Sequence, residues 1–134
     1  HIGGLTDDLD SVVDTLCDRF GLRKGHHETA QPVGAEVQWV HTDGIRLEVI
    51  APAGEGRAAE ALALGQGGVH HIAFEVSDTD ASLREFRRGG YGTLDEVSRE
   101  GVGGSRIGFL DPASTGGLRI ELVSGLNEGA TSDE

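Results

Sequence analysis

The chain has 134 residues, enough for one domain with a sizeable core, and carries 23 acidic against 11 basic residues, a formal charge of −12. That charge argues against a nucleic-acid partner and against anionic membrane surfaces, and no apolar run is long enough to span a bilayer. Cys17 is the single cysteine, which excludes a disulfide within these residues and makes the cytoplasm the expected location.

A strand is expected at 1–6, and Asp7 or Asp8 then caps a helix whose face is marked by Leu9, Val12, Val13, Leu16 and Phe20 and which Gly21 stops. Residues 25–31 read as a polar loop holding His26, His27 and Glu28. A strand follows at 35–40, turned by Asp43-Gly44 into a returning strand at 45–50. Pro52 to Gly56 breaks the pattern, and an Ala-rich helix at 57–64 bridges to a second half. There the order repeats. A strand at 70–76 has Ile72, Phe74 and Val76 on its apolar face. A helix opened by Asp78 turns Leu83 and Phe86 inward and ends at Gly89-Gly90. A short strand is expected at 93–97, a loop at 101–104, and a closing hairpin from 106–110 and 118–123, joined by 111–117. Residues 125–134 look like an acidic, solvated tail.

The two halves are copies. His1-Ile2 aligns with His71-Ile72, Asp8 with Asp78 and Asp10 with Asp80 without a gap, an offset of 70 residues. Arg46-Leu47-Glu48-Val49 is echoed by Arg119-Ile120-Glu121-Leu122 at an offset of 73. Each copy is β-α-β-β-β in outline, spanning about 1–52 and 68–124. Two copies are too few for a solenoid, so an α+β fold is expected: tandem βαβββ modules forming one cupped mixed sheet with helices outside, a single domain over 1–134.

Each copy contributes one His and one Glu. His71 lies opposite the Ile72 face and Glu121 opposite Leu118, Ile120 and Leu122; His1 and Glu48 have the same parity in their own copy. If the apolar faces bind the helices, all four polar side chains point to the concave side. Taken singly, such residues are more often structural or solvated, and their repetition in register is what points to a metal. Two imidazoles and two carboxylates leave positions for water or substrate oxygens on a six-coordinate divalent ion. Arg46 and Arg119 each precede a Glu by two positions and share its face; each either balances local acid or reaches a substrate carboxylate.

At these residues the chain resembles the vicinal oxygen chelate superfamily, whose members pair βαβββ modules around a metal. Within it the chain is most similar to methylmalonyl-CoA epimerase. The likeness is most specific at Gly68-Val69-His70-His71-Ile72-Ala73-Phe74-Glu75-Val76 and from Gly103-Gly104-Ser105-Arg106 to Ser114-Thr115-Gly116-Gly117. It implies His1, Glu48, His71 and Glu121 as ligands of a divalent ion, with Co, Mn, Zn and Ni not separated, and Ser114 and Thr115 as substrate-binding residues. Where the epimerases usually carry Gln, this chain has Glu48, and a His-Glu-His-Glu set is more like bacterial glyoxalase I. The epimerases' non-ligand catalytic Glu follows a Gln-Gly-Val turn; here the turn is Gln31-Pro32-Val33, and Glu36 is the nearest acid after a one-residue shift. Asp111, Ala113 and Glu60 stand where the family has His, Lys and Lys, which removes positive charge that a CoA phosphate would meet.

The expected function is a metal-dependent epimerase or racemase that transfers a proton at the 2-carbon of a methylmalonyl-CoA-like acyl thioester or related 2-acyl acid. Glu121, Glu48 and Glu36 are the candidate acid–base groups. Two alternatives stand beside it: a glyoxalase I-type lactoylglutathione lyase, for which Glu48 speaks, and a non-catalytic protein that binds a small molecule, as resistance proteins of the superfamily do. Exposed sheet edges make a homodimer the expected assembly.

Overall fold

The computed structural model describes residues 1–126, so most of the acidic segment expected at 125–134 lies outside the described residues. It contains two compact units, the first His1–His70 and the second beginning at His71. No helix among the described residues is long and apolar enough to cross a membrane.

The first unit holds β1 (Ile2–Leu5), α1 (Leu9–Phe20), β2 (Arg23–Ala30), β3 (Ala35–His41), β4 (Arg46–Pro52) and α2 (Arg57–Ala63). Its strands run in the order β2-β3-β4-β1, with β1 parallel to β4 and the other neighbours antiparallel. Helix α1 starts where expected because the Asp8 carboxylate accepts the Ser11 N–H at 3.1 Å. It stops at Gly21, whose left-handed φ of 74° lets its own N–H close back onto the Cys17 carbonyl and the Leu22 N–H onto that of Leu16. Leu9, Val12, Val13, Leu16 and Cys17 pack on Leu22, Val40, Leu47 and Val49. Burying an aliphatic side chain such as Val13 contributes about 1.5–3 kcal/mol. Phe20, expected on this face, is exposed instead at the helix's last position.

The expected loop at 25–31 is a strand. Arg23–Ala30 pairs antiparallel with β3, with a bulge between Lys24 and His27. Its polar sequence hides it, because an edge strand is stabilised by its backbone ladder and needs no apolar alternation. The Gln38 side-chain amide fastens the bulge, donating to the Gly25 carbonyl at 2.9 Å and to that of His26 at 3.3 Å.

Strand β5 (Gly68–Glu75) leads into the second unit, followed by α3 (Thr79–Arg88), β6 (Arg99–Glu100), β7 (Arg106–Phe109) and β8 (Ile120–Ser124), in the sheet order β5-β8-β7-β6. Here β5 and β8 are parallel and the other neighbours antiparallel. Asp78 caps α3 through the Ala81 N–H at 3.0 Å, and Leu83 and Phe86 pack on Val76, Leu110, Ile120 and Leu122 as expected. Gly108 makes room for this packing: a Cβ there would lie 2.8 Å from Leu83 Cδ1.

Two expectations for this unit fail. No strand forms at 93–97; Thr93 makes an isolated bridge to Leu110, and the strand lies at Arg99–Glu100. The reason is a side chain taking a backbone's place: the Asp95 carboxylate accepts the Phe109 N–H at 2.8 Å and Arg99 Nε at 3.1 Å. Nor is the Ile72-Phe74-Val76 face fully covered by helix, since Phe74 is 55 % exposed. The opposite face, which carries His71 and Glu121, has a buried apolar cluster of its own: Ala73, Ile107, Phe109 and Val123.

Candidate metal centre

In the first unit β1 runs parallel to β4 with Gly3 beside Glu48, so His1, two residues before Gly3, shares the face of Glu48. His1 Nε2 lies 3.5 Å from Glu48 Oε1, with both side chains at most 5 % exposed. Trp39 stands across from Glu48 in the β3–β4 ladder, fully buried. Its ring meets the His1 imidazole edge-on, centroids 5.0 Å apart and planes at 89°. The Arg46 guanidinium lies over the same indole, 5.8 Å from its centroid.

The second unit builds the same arrangement. Ala73 is beside Glu121 in the β5–β8 ladder, so His71 and Glu121 share a face. His71 Nε2 and Glu121 Oε1 are 3.8 Å apart, and both side chains are buried. Phe109 stands across from Glu121 and meets the His71 ring edge-on at 5.8 Å and 87°. A guanidinium covers this aromatic too, but it belongs to Arg99, 5.6 Å from the ring centroid. The repeat therefore extends from a His–Glu pair to a His–Glu–aromatic–Arg set. Sequence reasoning missed Trp39 and Phe109. The available signal was parity, since each sits on the strand that hairpins into its module's Glu strand.

The donor chemistry suits a divalent ion. Separations of 3.5 and 3.8 Å are longer than a charge-assisted hydrogen bond of about 2.7–2.9 Å. They are close to the spacing of two donor atoms that each lie about 2.0–2.2 Å from one ion. Nitrogen and carboxylate oxygen donors, buried and held by neighbouring aromatic rings, form a hard-to-borderline set.

Other expected site residues lie elsewhere. Glu36 opposes Ala51 in the β3–β4 ladder, one position out of phase with Trp39 and Glu48, and so lies on the other face. Its carboxylate is held there by the Thr29 hydroxyl at 2.7 Å and His27 Nε2 at 3.1 Å. The residue on the Glu48 face at this point is Ala35, where the family likeness falls without the one-residue shift. Ser114 and Thr115 use their hydroxyls inside the β7–β8 connection: Ser114 Oγ accepts the Gly92 N–H at 2.8 Å, and Thr115 Oγ1 donates to the Leu118 carbonyl at 2.7 Å.

With this geometry in view, the family model for the Glyoxalase/Bleomycin resistance protein/Dioxygenase superfamily matches residues 1–109. The chain belongs to this superfamily. It is 30 % identical over 124 residues to the mitochondrial methylmalonyl-CoA epimerase of Homo sapiens, covering 91 % of this chain and 70 % of that protein. It is 28 % identical over 123 residues to the uncharacterized protein YqjC of Bacillus subtilis, covering 91 % of this chain and 88 % of that one. Among solved structures, a single-residue variant of Streptomyces coelicolor methylmalonyl-CoA epimerase in complex with 2-nitronate-propionyl-CoA superposes with a TM-score of 0.76 at 32 % identity, covering 92 % of this chain and 91 % of that one. The superfamily's α+β architecture of repeated βαβββ modules is thus the architecture of this protein.

Proposed function

We propose that this superfamily member is a metal-dependent epimerase that moves a proton at the 2-carbon of an acyl thioester of the methylmalonyl-CoA kind. The observation that carries the reading is the repeated, buried His–Glu pair, His1 with Glu48 and His71 with Glu121. The similarity to epimerases at 30–32 % identity supports it. In this reading the His–Glu pairs supply the donors for a divalent ion. Such an ion would supply Lewis-acid stabilisation of the enolate formed when the C2 proton leaves. Glu121 is then the residue that takes up or returns that proton, while Arg46 and Arg119 help place the acyl group; Ser114 and Thr115 have no part in it, since their hydroxyls are held inside the β7–β8 connection. Glu36 has no part in it, since it lies on the other face of its strand. The Streptomyces coelicolor relative is complexed with an acyl-CoA analogue, which supports a thioester substrate here.

A glyoxalase-type isomerase acting on a thiol adduct of a 2-oxoaldehyde is the second reading, and Glu48 is the residue that favours it. Two carboxylates would neutralise the ion's charge and weaken it as a Lewis acid unless one detaches to act as base. The deciding experiment is solvent deuterium uptake at C2 of methylmalonyl-CoA and related thioesters by fully metallated protein, run beside conversion of a hemithioacetal. Uptake without hemithioacetal conversion supports the epimerase; the reverse result supports the glyoxalase. We further propose that the protein works in the cytoplasm as a homodimer. The support is its lone cysteine and its exposed apolar side chains, Val69 and Phe74 among them.

A further inference from the structure

Three basic side chains of the first unit stand abreast at one end of its sheet. Arg23 on the edge strand β2 opposes His41 on β3, and His41 opposes Arg46 on β4. Side chains opposed in this way share a face, with Cβ atoms about 4.5–5.5 Å apart. The face is that of Trp39 and Glu48, because His41 follows Trp39 by two residues and Arg46 precedes Glu48 by two. No acid stands in this row, although the formal charge of the chain is −12. Glu48, the acid of the next row, faces His1 at 3.5 Å. Like charges opposed across strands destabilise a sheet, and an anion lying among them reverses that effect.

A second observation falls on the same residues. Among the described residues three buried side-chain nitrogen or oxygen atoms lack a hydrogen-bond partner, and two of them lie here: Trp39 Nε1 and His41 Nε2. His41 is 4 % exposed and Trp39 is fully buried. A buried N–H without an acceptor carries the whole cost of its desolvation, which a bound acceptor removes. The Arg46 guanidinium lies over the Trp39 ring, 5.8 Å from its centroid, and so stands beside β3 one same-face position from His41. Such positions are about 7 Å apart along a strand. A carboxylate that accepts a charge-assisted bond of about 2.7–2.9 Å on each oxygen bridges an interval of that size. Arg23 is exposed on the edge strand, so the row opens to solvent at that end.

We propose that the His41 Nε2–H and the Arg46 guanidinium bind a carboxylate, with Arg23 drawing it in from the sheet edge; that this carboxylate belongs to an acyl thioester rests on the epimerase reading above. The row lies one register from Glu48, about 7 Å along the strand, so it holds the anionic end of the acyl group beside the His1–Glu48 pair. His41 then sets specificity. It favours a thioester that carries a free carboxylate over a simple acyl thioester, because only the first satisfies its buried N–H.

Trp39 is the only tryptophan of the chain, so its fluorescence reports on this row directly. Wild type, His41→Phe, Arg23→Gln and a charge-matched control in the last turn of α1, Arg19→Gln, are titrated with malonate, malonamide and inorganic phosphate. Ionic strength and metal content are held equal, and circular dichroism checks each fold. Malonate should give a saturable change in wild type and in Arg19→Gln, and uncharged malonamide should give none. Malonate affinity should fall about 10–100-fold in His41→Phe and up to about fivefold in Arg23→Gln, whose charge is on the exposed rim. Equal malonate affinity in wild type and His41→Phe, or a parallel loss in Arg19→Gln, would overturn the inference. Phosphate binding more tightly than malonate would overturn the assignment to a carboxylate. Should His41→Phe fail to fold, Arg23→Gln decides alone, since it changes only an exposed side chain. Deuterium uptake at C2 is a separate readout: malonate binding that depends on His41, in metallated protein that takes up no deuterium, would keep the carboxylate site and overturn the epimerase reading.

Discussion

Trp39 stands directly across from Glu48 in the β3–β4 ladder while its ring meets the His1 imidazole edge-on, so one buried indole sets the surroundings of both members of a proposed ligand pair. Phe109 does the same for Glu121 and His71. Aromatic walls of this kind hold ligand side chains in one rotamer and keep water from the carboxylate.

Replacing the indole should show both effects. Trp39→Ala should cost about 3–5 kcal/mol of stability in urea unfolding and weaken metal retention on dialysis. Trp39→Phe should retain most of the metal, because module two uses Phe109 in the same place and Trp39 Nε1 makes no hydrogen bond that would be lost. A Phe variant that loses metal as fully as the Ala variant would show that the indole does something other than fill space.

The two proposed ligand carboxylates, Glu48 and Glu121, should not be equivalent. In the epimerase reading Glu48→Gln keeps an oxygen donor and raises the effective charge of the ion, so substantial deuterium exchange should survive. Glu121→Gln should abolish it. In the glyoxalase reading Glu48→Gln should instead lose a factor of about 10²–10⁴, as expected for removal of a general base. Metal content must be measured for each variant, since loss of the ion mimics loss of a base.

Packing on the helix face of module two is testable at one glycine. Gly108→Ala would put a Cβ at 2.8 Å from Leu83 Cδ1, so the fully buried Leu83 side chain would have to shift. The overpacking should cost about 1–3 kcal/mol, read as a lower midpoint in thermal unfolding, with Leu83→Ala recovering part of the strain in the double variant.

Asp80 gives module two a pH dependence on its acid side. Its carboxylate accepts the Ser98 N–H at 2.6 Å and the Ser98 hydroxyl at 2.8 Å. The backbone hydrogen bond, then the hydroxyl, then the charges of Arg106 and Arg84 hold it below the ordinary value of 3.8, against an opposing effect of desolvation. A depressed folded-state pKa contributes stability that is present above the unfolded value and lost as pH falls through the folded one. Thermal unfolding from pH 7 to pH 2 should therefore show Asp80→Asn below wild type at neutral pH, with the gap closing under about pH 4. A gap that stays constant to pH 2 would count against this account.

Much of this protein was legible in its residues. Alternation placed the strand at β5, and Asp8, Gly21 and Asp78 bounded the helices through local hydrogen bonds that need no distant partner. Parity alone put His1 with Glu48 and His71 with Glu121, because a strand's side chains alternate whatever lies beyond it. What the tertiary structure decided is where local signals are silent or equal. Arg23–Ala30 has no apolar alternation and becomes a strand only because β3 offers it a backbone ladder. Residues 93–97 have strand-like character but yield their place to the Asp95 carboxylate, which takes the amide that a backbone carbonyl would have taken. The bulge after Lys24 sends His26 and His27 to opposite faces, and the phase of β3 carries Glu36 away from Glu48. A shift of one residue reverses a side chain in a sheet, and only the pairing with a neighbouring strand sets that phase.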